Sequence, residues 1–180
     1  MAEAQLQLNL SFVPIEDRLL LRIASGKPEA MEEYRLWLTR RFVNLLWNVL
    51  DQMLEIHTAL DPRIPPEGRK AVLQFQQSAA LSQTDFKTPY NAENMTAPFG
   101  PHPLLIYKLQ SRETADGNQM LSMEATTGQI INITLNLQLI HSLRKLIADT
   151  IKEAGWNIFN VRPIAPEEAV SVAEAPRTIN

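Results

Sequence analysis

The segment Tyr34-Arg-Leu-Trp-Leu38-Thr39-Arg-Arg-Phe42-Val43-Asn-Leu-Leu46 decides the fold, because the spacing of its apolar residues changes partway along. Up to Leu38, Tyr34, Leu36 and Leu38 fall on one side at every second position, the pattern of a strand with one buried face. From Thr39 the period lengthens, and Phe42, Leu45, Leu46, Val49, Leu50, Met53 and Ile56 recur at helical spacing. Thr39 suits an N-cap, since its hydroxyl can take up an amide that the first helical turn leaves unpaired. The spacing predicts a helix from about Arg40 to about Ala59, closed before Pro62, Pro65 and Pro66, which cannot continue it.

Toward the N-terminus, Leu6, Leu8, Leu10 and Phe12 alternate with Gln7, Asn9 and Ser11, predicting a first strand. After a turn at Pro14 to Asp17, Arg18-Leu-Leu-Leu-Arg-Ile23 predicts a second, with Leu19, Leu21 and Ile23 inward and Arg18, Leu20 and Arg22 outward. Ser25-Gly-Lys-Pro28 breaks the chain, and Ala30 to Glu33 reads as a polar connection to the third strand.

From His102 the same order returns. Strands are predicted at Leu104 to Ser111, Gln119 to Ala125 and Gln129 to Leu135, separated by turn signals at Ala115-Asp-Gly-Asn118 and Thr127-Gly128. Asn136 can cap a helix that carries Leu139, Ile140, Leu143, Leu146, Ile147, Thr150 and Ile151 inward and ends near Gly155. An offset of 97 residues lays Tyr34, Leu36 and Leu38 on Ile131, Ile133 and Leu135, and Thr39 on Asn136. The chain therefore reads as α+β, two tandem βββα units in which an antiparallel sheet precedes a long amphipathic helix, joined by a short helix and a Pro-rich loop. In this order of elements it is loosely similar to PUR repeats and whirly-type proteins, and that resemblance implies binding of single-stranded nucleic acid.

The 180 residues include 17 basic and 20 acidic side chains, 12 Pro, 6 Gly and no Cys. This balance excludes collagen-like, wholly disordered and disulfide-scaffold classes, and the lack of Cys excludes a thiolate nucleophile or Cys-ligated metal. One domain is expected over 1–162, with pseudo-repeats at 5–60 and 103–159 and a connector at 61–102. Within the connector, Gly68 to Thr84 suits a short helix, whereas Asp85 to Pro103 is a long Pro-interrupted loop. The tail at 163–180 is acidic, Pro-interrupted and without a period, and is expected to be disordered. Met1-Ala-Glu-Ala4 has no basic start or apolar core of a signal peptide, and no apolar run approaches the roughly 20 residues that span a bilayer. A soluble, cytoplasmic protein with no membrane partner is expected.

On a helical wheel the apolar arc of the first helix covers about 200° and that of the second about 140°. A sheet face covers roughly 100° or somewhat more, so the first helix needs a further cover. The second helix, the segment at Gly68 to Thr84 or another protein chain could provide it. Val43, Trp47 and Leu54, at the rim of the arc, are the candidate interaction surface.

No Gly-rich phosphate loop, H-x-x-x-H or G-x-S-x-G is present, and His57, His102 and His141 sit in separate segments. Glu32-Glu33 and Glu167-Glu168 read as solvated surface. No catalytic, metal-binding or cofactor-binding set emerges. The one face with chemical character joins Arg18 and Arg22 of the second strand to Arg35 and Trp37 of the third, with Arg41 at the helix start. Arginines for phosphates and a tryptophan for stacking are what a single-stranded nucleic-acid platform uses. Against it, residues 1–60 carry six basic and eight acidic groups. The reading that follows is a non-catalytic module that binds a protein partner, a second copy of itself included, with single-stranded nucleic acid on the Arg/Trp face as the alternative.

Overall fold

The computed structural model describes residues 5–27, 29–59, 64–84, 90 and 95–158. The alternating N-terminal segment forms β1 (Gln5–Val13), which pairs antiparallel with β2 (Arg18–Lys27), and β2 pairs antiparallel with β3 (Ala30–Leu38). The turn between β1 and β2 places Asp17 at a left-handed φ of 48°. Helix α1 (Arg40–Ala59) starts where the period changes, and Thr39 caps it through its Oγ1, which accepts the Phe42 amide at 3.2 Å.

A short 3-10 turn leads into α2 (Arg69–Gln83), within the segment expected to link the halves. Strands β4 (Leu104–Glu113), β5 (Gln119–Ala125) and β6 (Ile130–Leu135) form an antiparallel meander, followed by α3 (Leu137–Ala154). The Asn136 side chain accepts the Leu139 amide at 2.9 Å, and Gly155 ends the helix at a φ of 65°, a conformation that favours glycine.

The protein is thus α+β, with three helices and one six-stranded mixed sheet in the order β1 to β6. Two separate antiparallel sheets were the expectation from sequence. A short parallel pairing of β3 with β4, Leu36 opposite Leu104 and Trp37 opposite Leu105, joins them instead. Residues 30–33 are likewise strand and not a polar connection. Thr96 of the connector binds them from the side: the Glu33 amide donates to its carbonyl at 2.7 Å and the Thr96 amide donates to the Met31 carbonyl at 3.0 Å. The expected tail at 163–180 and residues 85–89 and 91–94 of the expected loop lie outside the described residues.

The inward residues of all six strands and the apolar sides of the helices share one core. Leu19, Leu21, Ile23, Leu36 and Leu38 meet Leu46, Leu50, Leu121, Met123, Leu135 and Leu143 there, all fully buried. Each such side chain contributes about 1.5–3 kcal/mol by leaving water. Helix α1 packs on β4, and α3 packs on β1, so each helix covers the first strand of the opposite half. Helix α2 packs on both of the others. The wide apolar arc of α1 therefore meets α3, α2 and β4 of its own chain, although Ile56 and His57 in its last turns are exposed.

Beyond α3, Trp156 seals the β1–β2 turn. Its indole donates to Asp17 Oδ1 at 3.0 Å, its ring meets Phe12 edge-on at 5.8 Å, and the Arg40 guanidinium lies 5.0 Å above it. Hydrogen bonds from Arg40 and then Trp156 hold the Asp17 carboxyl below its ordinary value. Among the described residues no helix is long and apolar enough to cross a membrane.

Candidate functional site

The pairing of β2 with β3 sets Arg22 opposite Arg35, Leu20 opposite Trp37 and Ala24 opposite Glu33, so these side chains share the outer face as alternation requires. Like charges directly opposite repel, and the surroundings of this pair answer that. Glu33, only 4% exposed, accepts both Nε and NH2 of Arg35, at 2.8 and 2.6 Å. The Tyr90 hydroxyl donates to the other Glu33 oxygen at 3.1 Å, and Arg35 NH1 donates to the Pro101 carbonyl at 2.9 Å. The Tyr90 ring stacks 5.9 Å from the Arg22 guanidinium. Burial first, and then the Glu33 charge, push the Tyr90 phenol well above its ordinary value. Tyr90 and Pro101 of the connector thus lie against this face, and Leu20, Ala24 and Met31 are buried.

The other members of the Arg/Trp set are spread out. Arg18, at the start of β2, pairs with Glu16 at 3.6 Å. Trp37 is partly exposed on β3, and Arg41 is exposed on the first turn of α1. The structure sets Arg22 opposite Arg35, pairs Arg35 with a carboxylate expected on the solvated surface, and stacks Arg22 on Tyr90.

Val43 and Leu54 are buried in the core of the single chain. Trp47 is half-buried, with the Arg144 guanidinium of α3 stacked 4.6 Å from its ring centre. Arg144 also forms an ion pair with Asp51, one turn along α1. Burial raises the Asp51 carboxyl, and Arg144 opposes that shift. The three rim residues therefore serve contacts of α1 within this chain.

Between the helices, His141 is 1% exposed, and neither ring nitrogen has a hydrogen-bond partner among the described residues. Burial, followed by Arg144 and His57, pushes it below its ordinary value. Close by in sequence, the Ser142 hydroxyl lies 2.8 Å from that of Thr84, tying α3 to the end of α2. No cluster of His, Asp or Glu among the described residues is placed to hold a metal ion.

One further feature had no local signal in the sequence. Strands β1 and β6 are the two edges of the sheet, yet residues from both line a single cavity of about 580 Å³. Its walls are Leu6 of β1, Ile23 and Ser25 of β2, Tyr34 of β3, Phe99, and residues 130–134 of β6. Tyr34 and Phe99 meet edge-to-face at 5.3 Å. The Tyr34 hydroxyl donates to Glu32 at 2.6 Å, and burial and then that carboxylate push the phenol up to about 12. The lining is aliphatic, aromatic, hydroxyl and amide, with no charged side chain among the described residues. Its volume falls in the range of ordinary ligand sites. A smaller cavity of about 340 Å³ lies where His57 and the β4–β5 turn face the start of α3. No protein-family model and no curated protein sequence matches this chain.

Proposed function

We propose that the protein is a non-catalytic binding module whose ligand is a segment of another polypeptide, received in the cavity between the edge strands β1 and β6. The observation that carries this reading is a lining contributed by both edges of one sheet, mixed apolar and polar and uncharged among the described residues. A nucleic-acid backbone needs cations to displace its counterions, and among the described residues this cavity offers none. The alternative platform of Arg18, Arg22, Arg35, Trp37 and Arg41 is less well supported, because Glu33 and Tyr90 engage its central pair and Glu16 engages Arg18. Among the described residues the lining also holds no pair of groups suited to acid–base or nucleophilic chemistry.

We further infer that the chain is built as two tandem βββα units, 5–60 and 103–159. The offset of 97 residues supports this, as does the reciprocal packing of α1 on β4 and α3 on β1.

The test is a selection of displayed random dodecapeptides on the intact chain, counter-selected on Thr134→Trp. Thr134 is exposed and lines the cavity, so an indole there fills the space without disturbing the core. Peptides that bind the intact chain and lose the variant by tenfold or more are expected. A selection that enriches nothing over the counter-selected pool refutes the reading.

A further inference from the structure

The β5–β6 hairpin fixes which way the main chain of β6 faces. The Ala125 amide donates to the Gln129 carbonyl at 2.8 Å, and Met123 and Leu121 stand opposite Ile131 and Ile133. In an antiparallel ladder successive residues turn their amide and carbonyl groups to opposite sides. Ile131, Ile133 and Leu135 therefore bond to β5, while Ile130, Asn132 and Thr134 turn theirs to the free edge. Among the described residues no strand pairs with that edge.

The same groups on β3 are occupied. Met31 and Glu33 bind Thr96, and farther along Leu36 and Trp37 pair with β4, both in parallel orientation. The offset of 97 residues carries Glu33 to Ile130 and Trp37 to Thr134. Where β3 has two parallel neighbours, β6 thus has a cavity. Exposed edges are normally protected by Lys, Pro or a bulge, because they invite pairing with another chain. Ile130-Ile-Asn-Ile-Thr-Leu135 contains no charge and no proline, and neither does β1, Gln5-Leu-Gln-Leu-Asn-Leu-Ser-Phe-Val13. Two edges without charge or proline flank one cavity whose described lining is uncharged.

We propose that the β6 edge from Ile130 to Thr134 is a strand-addition site, which takes an extended peptide of another protein running parallel to β6. The peptide's outward groups bond the free amides and carbonyls of Ile130, Asn132 and Thr134. Alternate side chains enter the cavity beside Tyr34, Phe99 and Leu6, so they are uncharged, and β-branched aliphatic residues fit best. This inference rests on the polypeptide-binding reading above and adds the geometry, direction and chemistry of the ligand.

The experiment uses the intact ¹⁵N-labelled chain and a capped hexapeptide, Thr-Val-Thr-Val-Thr-Val, spin-labelled at one end or the other. On binding, exchange of the Ile130, Asn132 and Thr134 amides is expected to slow by about tenfold or more, while Ile131 and Ile133 are protected from the start. The N-terminal label should broaden Ile130 and the C-terminal label Thr134. Asn132→Pro removes an edge amide at an exposed position where proline is tolerated, and should weaken binding by about tenfold. The exchange measurement needs no variant and decides the question even if that chain folds poorly.

Binding with no slowing at the three amides overturns strand addition and leaves the cavity reading standing. Reversed label positions overturn the parallel equivalence with β3. If this peptide fails while displayed peptides selected on the cavity bind, the inference fails alone. Protection that is already present and rises with protein concentration assigns the edge to a second copy and also overturns it. If no peptide of either kind binds, both readings fall.

Discussion

Removing the Glu33 carboxylate tests whether the arginine face is neutralised from within. Breaking a buried ion pair from one side costs about 3–5 kcal/mol when the charge left behind is enclosed. The two members differ in this respect, since the Glu33 side chain is 3% exposed and that of Arg35 is 33% exposed. After Glu33→Gln, Arg35 can turn its guanidinium to water, so the expected loss is that of hydrogen bonds to a charged acceptor, about 1.5–3 kcal/mol. After Arg35→Met the carboxylate stays enclosed with only Tyr90 as a donor, and the expected loss is larger, about 3 kcal/mol. For a chain of this length Glu33→Gln should lower Tm by about 3–10 °C. Urea unfolding followed by circular dichroism at pH 7 gives both singles and the double variant on one scale. The double should be milder than the sum of the singles by about 1–2 kcal/mol. Additivity within about 0.5 kcal/mol, or a single variant without effect, would refute the coupling and return Arg35 to the pool of cations open to an external anion.

Leu46→Ala should cost about 2–5 kcal/mol, because Leu46 is fully buried between α1 and the core and its loss leaves a cavity; equilibrium unfolding measures it. Stability should decline as pH falls from 7.5 to 5.5. The unfolded chain protonates His141 near its ordinary 6.5 while the folded chain, which holds it lower, resists, so the unfolded state binds more protons. His141→Phe should flatten that decline, and an unchanged pH profile would sink the assignment. Trp47→Glu should lower the stability of the single chain by about 1–3 kcal/mol through loss of the Arg144 stack and indole burial. Sedimentation beside circular dichroism checks this, and a variant that stays folded while becoming a smaller species would show that Trp47 holds another chain instead.

The parts of the fold that were legible in the sequence are those set by local spacing. Alternation at Leu6 to Phe12, the caps at Thr39 and Asn136 and the helical recurrence of Phe42, Leu46 and Leu50 each report on neighbours a few residues away. The junction of the sheet was not legible, because Leu36 and Leu104 pair across a long separation and nothing in either segment names its partner. Glu33 was misread for a related reason. A glutamate in a polar stretch signals surface, and only Thr96 and Tyr90, brought in by tertiary structure to join Arg35 of the same strand, make a buried strand position suit it. The grouping of Arg22 with Arg35 followed from alternation, but their cover did not. The cavity was out of reach altogether, since it depends on how the sheet brings its first and last strands to one opening.

The exchange of helices between the halves has a consequence for how the protein is made. Asp17 and Trp156 are 139 residues apart in sequence, and α3, which covers β1, precedes Trp156 directly. At roughly 5–20 residues per second a ribosome needs on the order of ten seconds to travel that distance. For that interval Leu8, Leu10 and Phe12 have no helix over them, and β3 has no β4 beside it until residue 104 has emerged. The N-terminal half is therefore born with both a bare apolar face and an open strand edge, and it completes its core only as the last described residues leave the exit tunnel. A message truncated before Leu137 would release a chain that cannot bury β1 by any native route, and such products are expected in inclusion bodies or bound to chaperones.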